Sequence, residues 1–183
     1  IEAGTFMAAL AITRGKGRVK NVKLDHVRPM IAKLREMGVE IAEEKSAVVI
    51  DAARKLSSTD IKTMPFPGFP TDMQAQFGGL LSTASGTGLI VETVFENRFL
   101  HIGELKRMGA NIRIEGRTSV VEGVPQLTGT KVNATDLRGG AALVLAGLAA
   151  GGITEVSNVE FIKRGYDNFT GKLSKLGADI SEE

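Results

Sequence analysis

The chain repeats itself, and this constrains its fold more than any other feature. The stretch Leu34-Arg35-Glu36-Met37-Gly38-Val39-Glu40-Ile41 returns as Leu105-Lys106-Arg107-Met108-Gly109-Ala110-Asn111-Ile112. It returns again as Leu173-Ser174-Lys175-Leu176-Gly177-Ala178-Asp179-Ile180. The spacing is 71 residues from Met37 to Met108 and 68 from Met108 to Leu176. In each copy the pattern predicts an amphipathic helix closed by a left-handed Gly, with the alternating residues after it starting a strand.

A second marker lies upstream. Thr71-Asp72 opens a predicted helix whose apolar positions are Met73, Phe77, Leu80, Leu81 and Ala84. Thr135-Asp136 opens another with Leu137, Ala141, Val144, Leu145 and Leu148 at the same offsets, which are those of a helix. Gly86 and Gly88 stop the first, Gly151 and Gly152 the second, and β-prone segments follow at 89–94 and 153–156. The same template fits Ile1, Thr5, Ala8, Ala9 and Ile12, then Gly15 and Gly17. The position matching Asp72 and Asp136 then falls before Ile1, so a longer parent protein is expected. The unit reads helix, strand, helix, strand, strand, with returning strands at 48–50 and 119–122 and a third copy that stops before its own. The expected class is α/β (α+β), with sheets packed around inward-facing helices that are apolar on most sides.

Composition narrows the function classes. Apolar residues make up 43% and charged residues 24%, which excludes disorder as a whole-chain description. A net charge of +2 and an aromatic content of 5% argue against a nucleic-acid partner or an RNA-binding repeat. With no Cys there is no disulfide scaffold and no thiol nucleophile on this chain. Two His argue against a His-rich metal centre, and no metal or cofactor is expected. The most apolar run, residues 139–152, is shorter than the roughly 20 residues a bilayer span needs, so no membrane partner is expected. Dinucleotide, phosphate-loop and nucleophile-elbow patterns are not matched.

The polar residues at the helix starts have two readings. Asp72 and Asp136 fit capping groups, whose oxygens accept from orphan N–H groups and complement the dipole. If the repeats are related by rotation, the helix starts converge, and their N–H groups form an anion site where a carboxylate can serve as a base. Arg98 and Arg164 follow the strand after the buried helix, and Arg28 occupies a similar place in the first copy. Arg138 lies in a first helical turn, where a cation is unfavourable, so it either pairs with Asp136 or serves a ligand. The loop Met64-Pro65-Phe66-Pro67-Gly68-Phe69-Pro70 is a stiff connection that fixes where Asp72 points. His26 and His101 read as surface or cap residues.

At Pro67-Gly68-Phe69-Pro70-Thr71-Asp72-Met73-Gln74-Ala75-Gln76 the chain resembles the enolpyruvyl transferases, in particular the branch acting on UDP-N-acetylglucosamine. Ile1-Glu2-Ala3-Gly4-Thr5-Phe6, Glu92-Thr93-Val94-Phe95-Glu96-Asn97-Arg98-Phe99 and Ala134-Thr135-Asp136-Leu137-Arg138 carry the same likeness. The relatives acting on shikimate 3-phosphate share the fold, but the stretch Pro-Thr-Asp-Met-Gln-Ala-Gln is not their pattern. The resemblance implies two domains, each an inside-out α/β barrel of three repeated βαβαββ-type units, with helices buried and sheets outside. Residues 1–183 then correspond to the C-terminal domain, without the N-terminal domain that completes the cleft. It implies a cytoplasmic bacterial enzyme of peptidoglycan synthesis. Its partners are phosphoenolpyruvate, UDP-N-acetylglucosamine and the missing N-terminal domain. It implies catalytic roles for Asp72 as base and Arg164 at the phosphate, with Val94, Arg98, Asp136 and Arg138 binding substrate. The chain alone is then expected to be inactive. A non-catalytic repeat binding module is the remaining alternative.

Overall fold

The computed structural model describes residues 1–182, which form a mixed α/β body around one apolar core. In chain order the first copy comprises α1 (Glu2–Ile12), β1 (Lys16–Lys20), α2 (Leu24–Glu36), β2 (Glu40–Glu44) and β3 (Ala47–Asp51). The second begins with a strand, β4 (Ile61–Lys62), and a 3-10 turn, Thr71–Met73. It continues with α3 (Gln74–Leu81), β5 (Thr87–Val91), α4 (Leu100–Arg107), β6 (Asn111–Glu115) and β7 (Thr118–Glu122). The third holds β8 (Lys131–Asn133), α5 (Leu137–Ala149), β9 (Glu155–Ser157), α6 (Glu160–Lys163) and α7 (Phe169–Lys175). Each copy has its own sheet, in the orders β1-β3-β2, β4-β5-β7-β6 and β8-β9.

The helices fall into two kinds, as their sequences require. In α2 the buried residues are Val27, Met30, Ile31 and Leu34, one stripe at helical spacing on an otherwise charged helix. α1, α3 and α5 are apolar or small nearly all round, and such a helix is stable only where protein surrounds it. Every residue of α3 is buried, and α1, α3 and α5 pack on one another in the interior. Small residues permit the close approach. A side chain on Gly79 of α3 would meet the Ala142 carbonyl of α5 at 3.3 Å, and one on Gly4 of α1 would meet Met73 Sδ at 2.8 Å. The C-terminal ends of the three helices meet around one shallow cavity, lined by Ile12, Thr83 and Leu148 among others, so the helices point the same way.

The helix-closing glycines behave as the repeat demands. Gly38, Gly109 and Gly177 have φ of 96°, 89° and 96°, a region that costs other residues a Cβ clash. In all three copies the same pair of bonds closes the helix: Val39, Ala110 and Ala178 N–H groups donate to Leu34, Leu105 and Leu173 carbonyls, and the glycine N–H donates one residue further on.

Arg14, at the end of α1, is left-handed with φ of 53°. Two local expectations are corrected. The strand expected over 89–94 ends at Val91, because Glu92 turns into the interior. Residues 178–182 do not form a strand in the third copy. β2 and β6 exist by pairing with the returning strands β3 and β7, and the described residues contain no third returning strand.

Burial separates residues that hold this fold from those that do not. Leu145 is fully buried on α5, whereas Ile153 is 81% exposed. Leu145→Ala is expected to cost about 2–5 kcal/mol in denaturant unfolding. Ile153→Ala should change stability by less than about 0.5 kcal/mol; equal costs at the two positions would refute the assigned packing.

Candidate functional site

The helix starts do converge. At the N-terminal end of the three-helix core, Thr5 of α1, Gln76 of α3 and Tyr166 from the segment after α6 form one buried cluster. Thr5 Oγ1 and Tyr166 Oη lie 2.9 Å apart, and Gln76 Nε2 donates to both at 3.1 Å. One residue comes from each copy of the repeat. Burial pushes the Tyr166 phenol above its usual range, opposed by its two hydrogen bonds, so it stays neutral here.

Beside this cluster lies a carboxylate held between two guanidinium groups. Asp72 Oδ1 accepts from Arg138 Nε at 2.5 Å and from Arg98 Nη1 at 3.3 Å. The two arginines are largely covered, with 25% and 19% of their side chains exposed, while Asp72 is 47% exposed. The carboxylate therefore has a face open to a ligand. Arg98 is held further by Thr71 Oγ1, to which Nη1 donates at 2.7 Å, and by the Phe95 ring, 4.0 Å below its guanidinium carbon. Burial, and then the Arg138 charge, lower the Arg98 guanidinium pKa from its usual value. Asp72 and Glu92 oppose that shift.

Asp136 and Asp72 sit in matching Thr-Asp pairs yet do different work. Asp136 is the N-cap of α5: its Oδ1 accepts from the N–H groups of Arg138 at 2.8 Å and Gly139 at 3.2 Å. Asp72 lies inside the 3-10 turn and caps nothing. Of the two roles read for Arg138, pairing with Asp136 or a ligand contact, the side-chain pairing with Asp136 is not observed: only the Arg138 backbone meets Asp136, and its side chain reaches Asp72. The N–H groups at the helix starts, read as an anion site, are not all bare. Two of those groups on α5 are occupied by Asp136, and the positive charge at this end is carried by arginines.

Arg164 follows α6 and stacks on Phe161 at 5.2 Å, with its side chain exposed. A side chain on its neighbour Gly165 would meet Leu137 Cδ1 at 2.9 Å, so this segment packs against the first turn of α5, next to Arg138. Arg164 therefore lies at the same end as Asp72. Arg28 does not belong to this group. It sits within α2 and pairs with Asp25 at 2.8 Å, because the first copy starts its second helix earlier than the second copy does. Val94 is 41% exposed, and its N–H donates to Glu92 Oε1 at 2.9 Å.

Two participants escape a reading of the sequence. Glu92 is 1% exposed and its oxygens accept four hydrogen bonds, from the Thr63 and Thr71 hydroxyls and the Val94 and Phe95 N–H groups. The signal was a lone acid inside the β-prone run 89–94, among apolar and threonine residues. His101 is the other. It is 2% exposed in the first turn of α4, packed beneath Gly139 and Gly78, and is a core residue and not the surface or cap group expected.

The fold and this cluster define a mixed α/β domain that presents a half-exposed carboxylate among arginines at the joint start of its core helices. The chain belongs to the family described as EPSP synthase (3-phosphoshikimate 1-carboxyvinyltransferase), whose model matches residues 1–173. It is 60% identical over 180 residues to the UDP-N-acetylglucosamine 1-carboxyvinyltransferase of Desulfofundulus thermocisternus, covering 98% of this chain and 74% of that protein. To UDP-N-acetylglucosamine 1-carboxyvinyltransferase 1 of Caldanaerobacter subterraneus subsp. tengcongensis it is 57% identical, covering 98% of this chain but 43% of that protein. The chain thus spans less than half of the latter. Among solved structures, the enolpyruvyl transferase NikO from Streptomyces tendae superposes with a TM-score of 0.88 at 30% identity, covering 98% of this chain and 43% of that one. No helix is long and apolar enough to cross a membrane among the described residues.

His101 yields a test of the site's foundation. Its burial lowers the imidazole pKa from 6.5 to about 4, with the Asp136 charge opposing. Above pH 6.5 both folded and unfolded forms are neutral and His101 adds no pH dependence. As pH falls from 6.5 towards 4 the unfolded chain gains a proton that the folded chain does not, so stability declines, by about 3 kcal/mol. Denaturant unfolding at pH 7 and pH 4 should show this loss shrinking in His101→Leu; an unchanged loss would remove His101 as its source.

Proposed function

We propose that this chain forms one wall of the active-site cleft of an enzyme that transfers the enolpyruvyl group of phosphoenolpyruvate to the 3-hydroxyl of UDP-N-acetylglucosamine, a step of bacterial peptidoglycan synthesis. The observation that carries the reading is Asp72: a carboxylate oriented by two guanidinium groups, open on one side. It lies in a chain 53–60% identical to proteins named for this reaction. The three-copy order of elements around α1, α3 and α5 fits an inside-out α/β barrel, helices within and sheets without.

The chemistry follows from these groups. A base takes the proton of the sugar hydroxyl as its oxygen bonds to C2 of phosphoenolpyruvate, while C3 gains a proton from an acid. Loss of a C3 proton and departure of phosphate then restore the double bond, leaving the enol ether and inorganic phosphate. Asp72 is the base for the hydroxyl. Its anchoring by Arg98 and Arg138 fixes the direction of its free oxygen without a further ordering cost. Arg164, exposed and without an ion pair among the described residues, is the mobile cation for the phosphate as the bond breaks. Val94, Arg98, Asp136 and Arg138 line the sugar side. Because the Val94 N–H is taken by Glu92, a backbone contact from Val94 to the nucleotide sugar runs through its carbonyl. The proton donor to C3 and the remaining walls come from the rest of the protein, so residues 1–183 alone lack transferase activity. The identities favour the nucleotide sugar over shikimate 3-phosphate as acceptor, since the relatives at 53–60% identity bear the former's name.

In the full-length protein, Asp72→Ala is expected to lower phosphate release from phosphoenolpyruvate by about 10²- to 10⁴-fold. Because Asp72 is half exposed and caps no helix, unfolding stability should change far less. Turnover that survives this substitution would remove Asp72 from the mechanism. The isolated chain should release no phosphate with both substrates present, and release near the full-length rate would overturn the two-wall reading.

A further inference from the structure

We infer that Glu92 is a positioning residue: buried and away from any substrate, it holds Arg98 from two sides and thereby sets the Asp72 carboxylate. This rests on the reading of Asp72 as the base.

The first link is a hydroxyl whose polarity Glu92 dictates. A carboxylate accepts only, so Thr71 must spend its single proton on Glu92 Oε2, which it does at 2.8 Å. Thr71 Oγ1 is then left with lone pairs alone, and Arg98 Nη1 donates to it at 2.7 Å. The same Nη1 reaches Asp72 Oδ1 at 3.3 Å, so the place of this one nitrogen is decided by the hydroxyl and passed to the carboxylate. The second link is through the backbone. Glu92 Oε1 captures the N–H groups of Val94 at 2.9 Å and Phe95 at 3.1 Å, and the Phe95 ring lies 4.0 Å from the Arg98 guanidinium carbon. Thr63 closes the arrangement from the neighbouring strand: its hydroxyl donates to Oε1 at 2.8 Å and accepts from the Thr93 N–H at 2.9 Å. One side chain, 1% exposed, therefore joins the turn carrying Asp72, the loop carrying Val94 and the arginine between them.

A carboxylate is the group that can do this. Glutamine fills the same space and keeps one oxygen for the three donors at Oε1, but it presents an amide NH2 to Thr71. That amide donates to Oγ1, so the hydroxyl proton is released from Glu92 and the lone pairs are shared with a second donor. Arg98 loses its undivided acceptor while the loop keeps its three bonds.

The test is a double-mutant cycle in the full-length protein, reading kcat and KM for both substrates by phosphate release. Glu92→Gln and Thr71→Val should each lower kcat roughly ten- to a hundredfold, the cost of misplacing a reacting group slightly, with smaller changes in KM. Because both act through the same hydroxyl, the double variant should be no slower than the slower single variant, and Thr71→Ser should restore kcat. Single effects that multiply in the double variant, or Glu92→Gln within twofold of wild-type kcat, would overturn the inference. If Glu92→Gln fails to fold, the Thr71 pair decides: Thr71→Val at wild-type kcat refutes the link, and a loss restored by Thr71→Ser upholds it. Asp72→Ala run alongside separates the two levels. An active Asp72→Ala protein defeats the reading of Asp72 itself, whereas an inactive one beside a fully active Glu92→Gln protein defeats only the role of Glu92.

Discussion

Three helices with almost no polar face must be enclosed, and the enclosure organises everything else in this domain. α1, α3 and α5 lie against one another, and Gly79 admits the neighbouring α5 where a larger residue would hold it off. Since the helices run the same way, their starts gather at one end. The polar groups at those starts are brought together as a consequence, before any specific bond between them is considered. The Thr5–Gln76–Tyr166 cluster shows how tightly the copies are tied there, with each copy giving one hydrogen-bonding side chain to a site closed to water.

That convergence creates an electrostatic problem, because like dipole ends and three arginines gather at one pole. The carboxylates answer it in different ways. Asp136 satisfies two N–H groups at the head of α5, Asp72 bridges Arg98 and Arg138, and Glu92 lies behind Thr71 as an acceptor for hydroxyl and backbone donors. The outcome is a hierarchy of exposure. Glu92 is closed off, the arginines are largely covered, and Asp72 is left half open. A base needs this combination of a fixed carboxylate oxygen and an accessible one. Arg164 stands apart, exposed and stacked on Phe161.

The repeats, the helical periods and the three left-handed glycines were legible in the residues alone, because each rests on interactions within a few positions of the chain. Gly38, Gly109 and Gly177 close their helices through bonds spanning at most five residues. The strand expected after Gly177 was not legible in this way. β2 and β6 are held by their partners, and the third copy has no such partner in the described residues. Glu92 was hidden for a related reason. As an acid within the β-prone run 89–94 it carries no local sign of burial, and only the arrival of Thr63, Thr71 and two backbone N–H groups makes that burial tolerable.

The two Thr-Asp pairs mark the boundary most sharply. By itself the chain determined that Asp72 and Asp136 each stand at the head of an apolar helix, with Arg98, Arg138 and Arg164 at related points in the repeat. Only the tertiary structure decided that Asp136 turns inward to cap its own helix while Asp72 takes the side chain of Arg138, 66 positions away in sequence. The physical reason is competition among partners. A carboxylate at a helix start goes to whichever donors are nearest, and how near a distant guanidinium comes depends on how the helices pack and not on the local sequence.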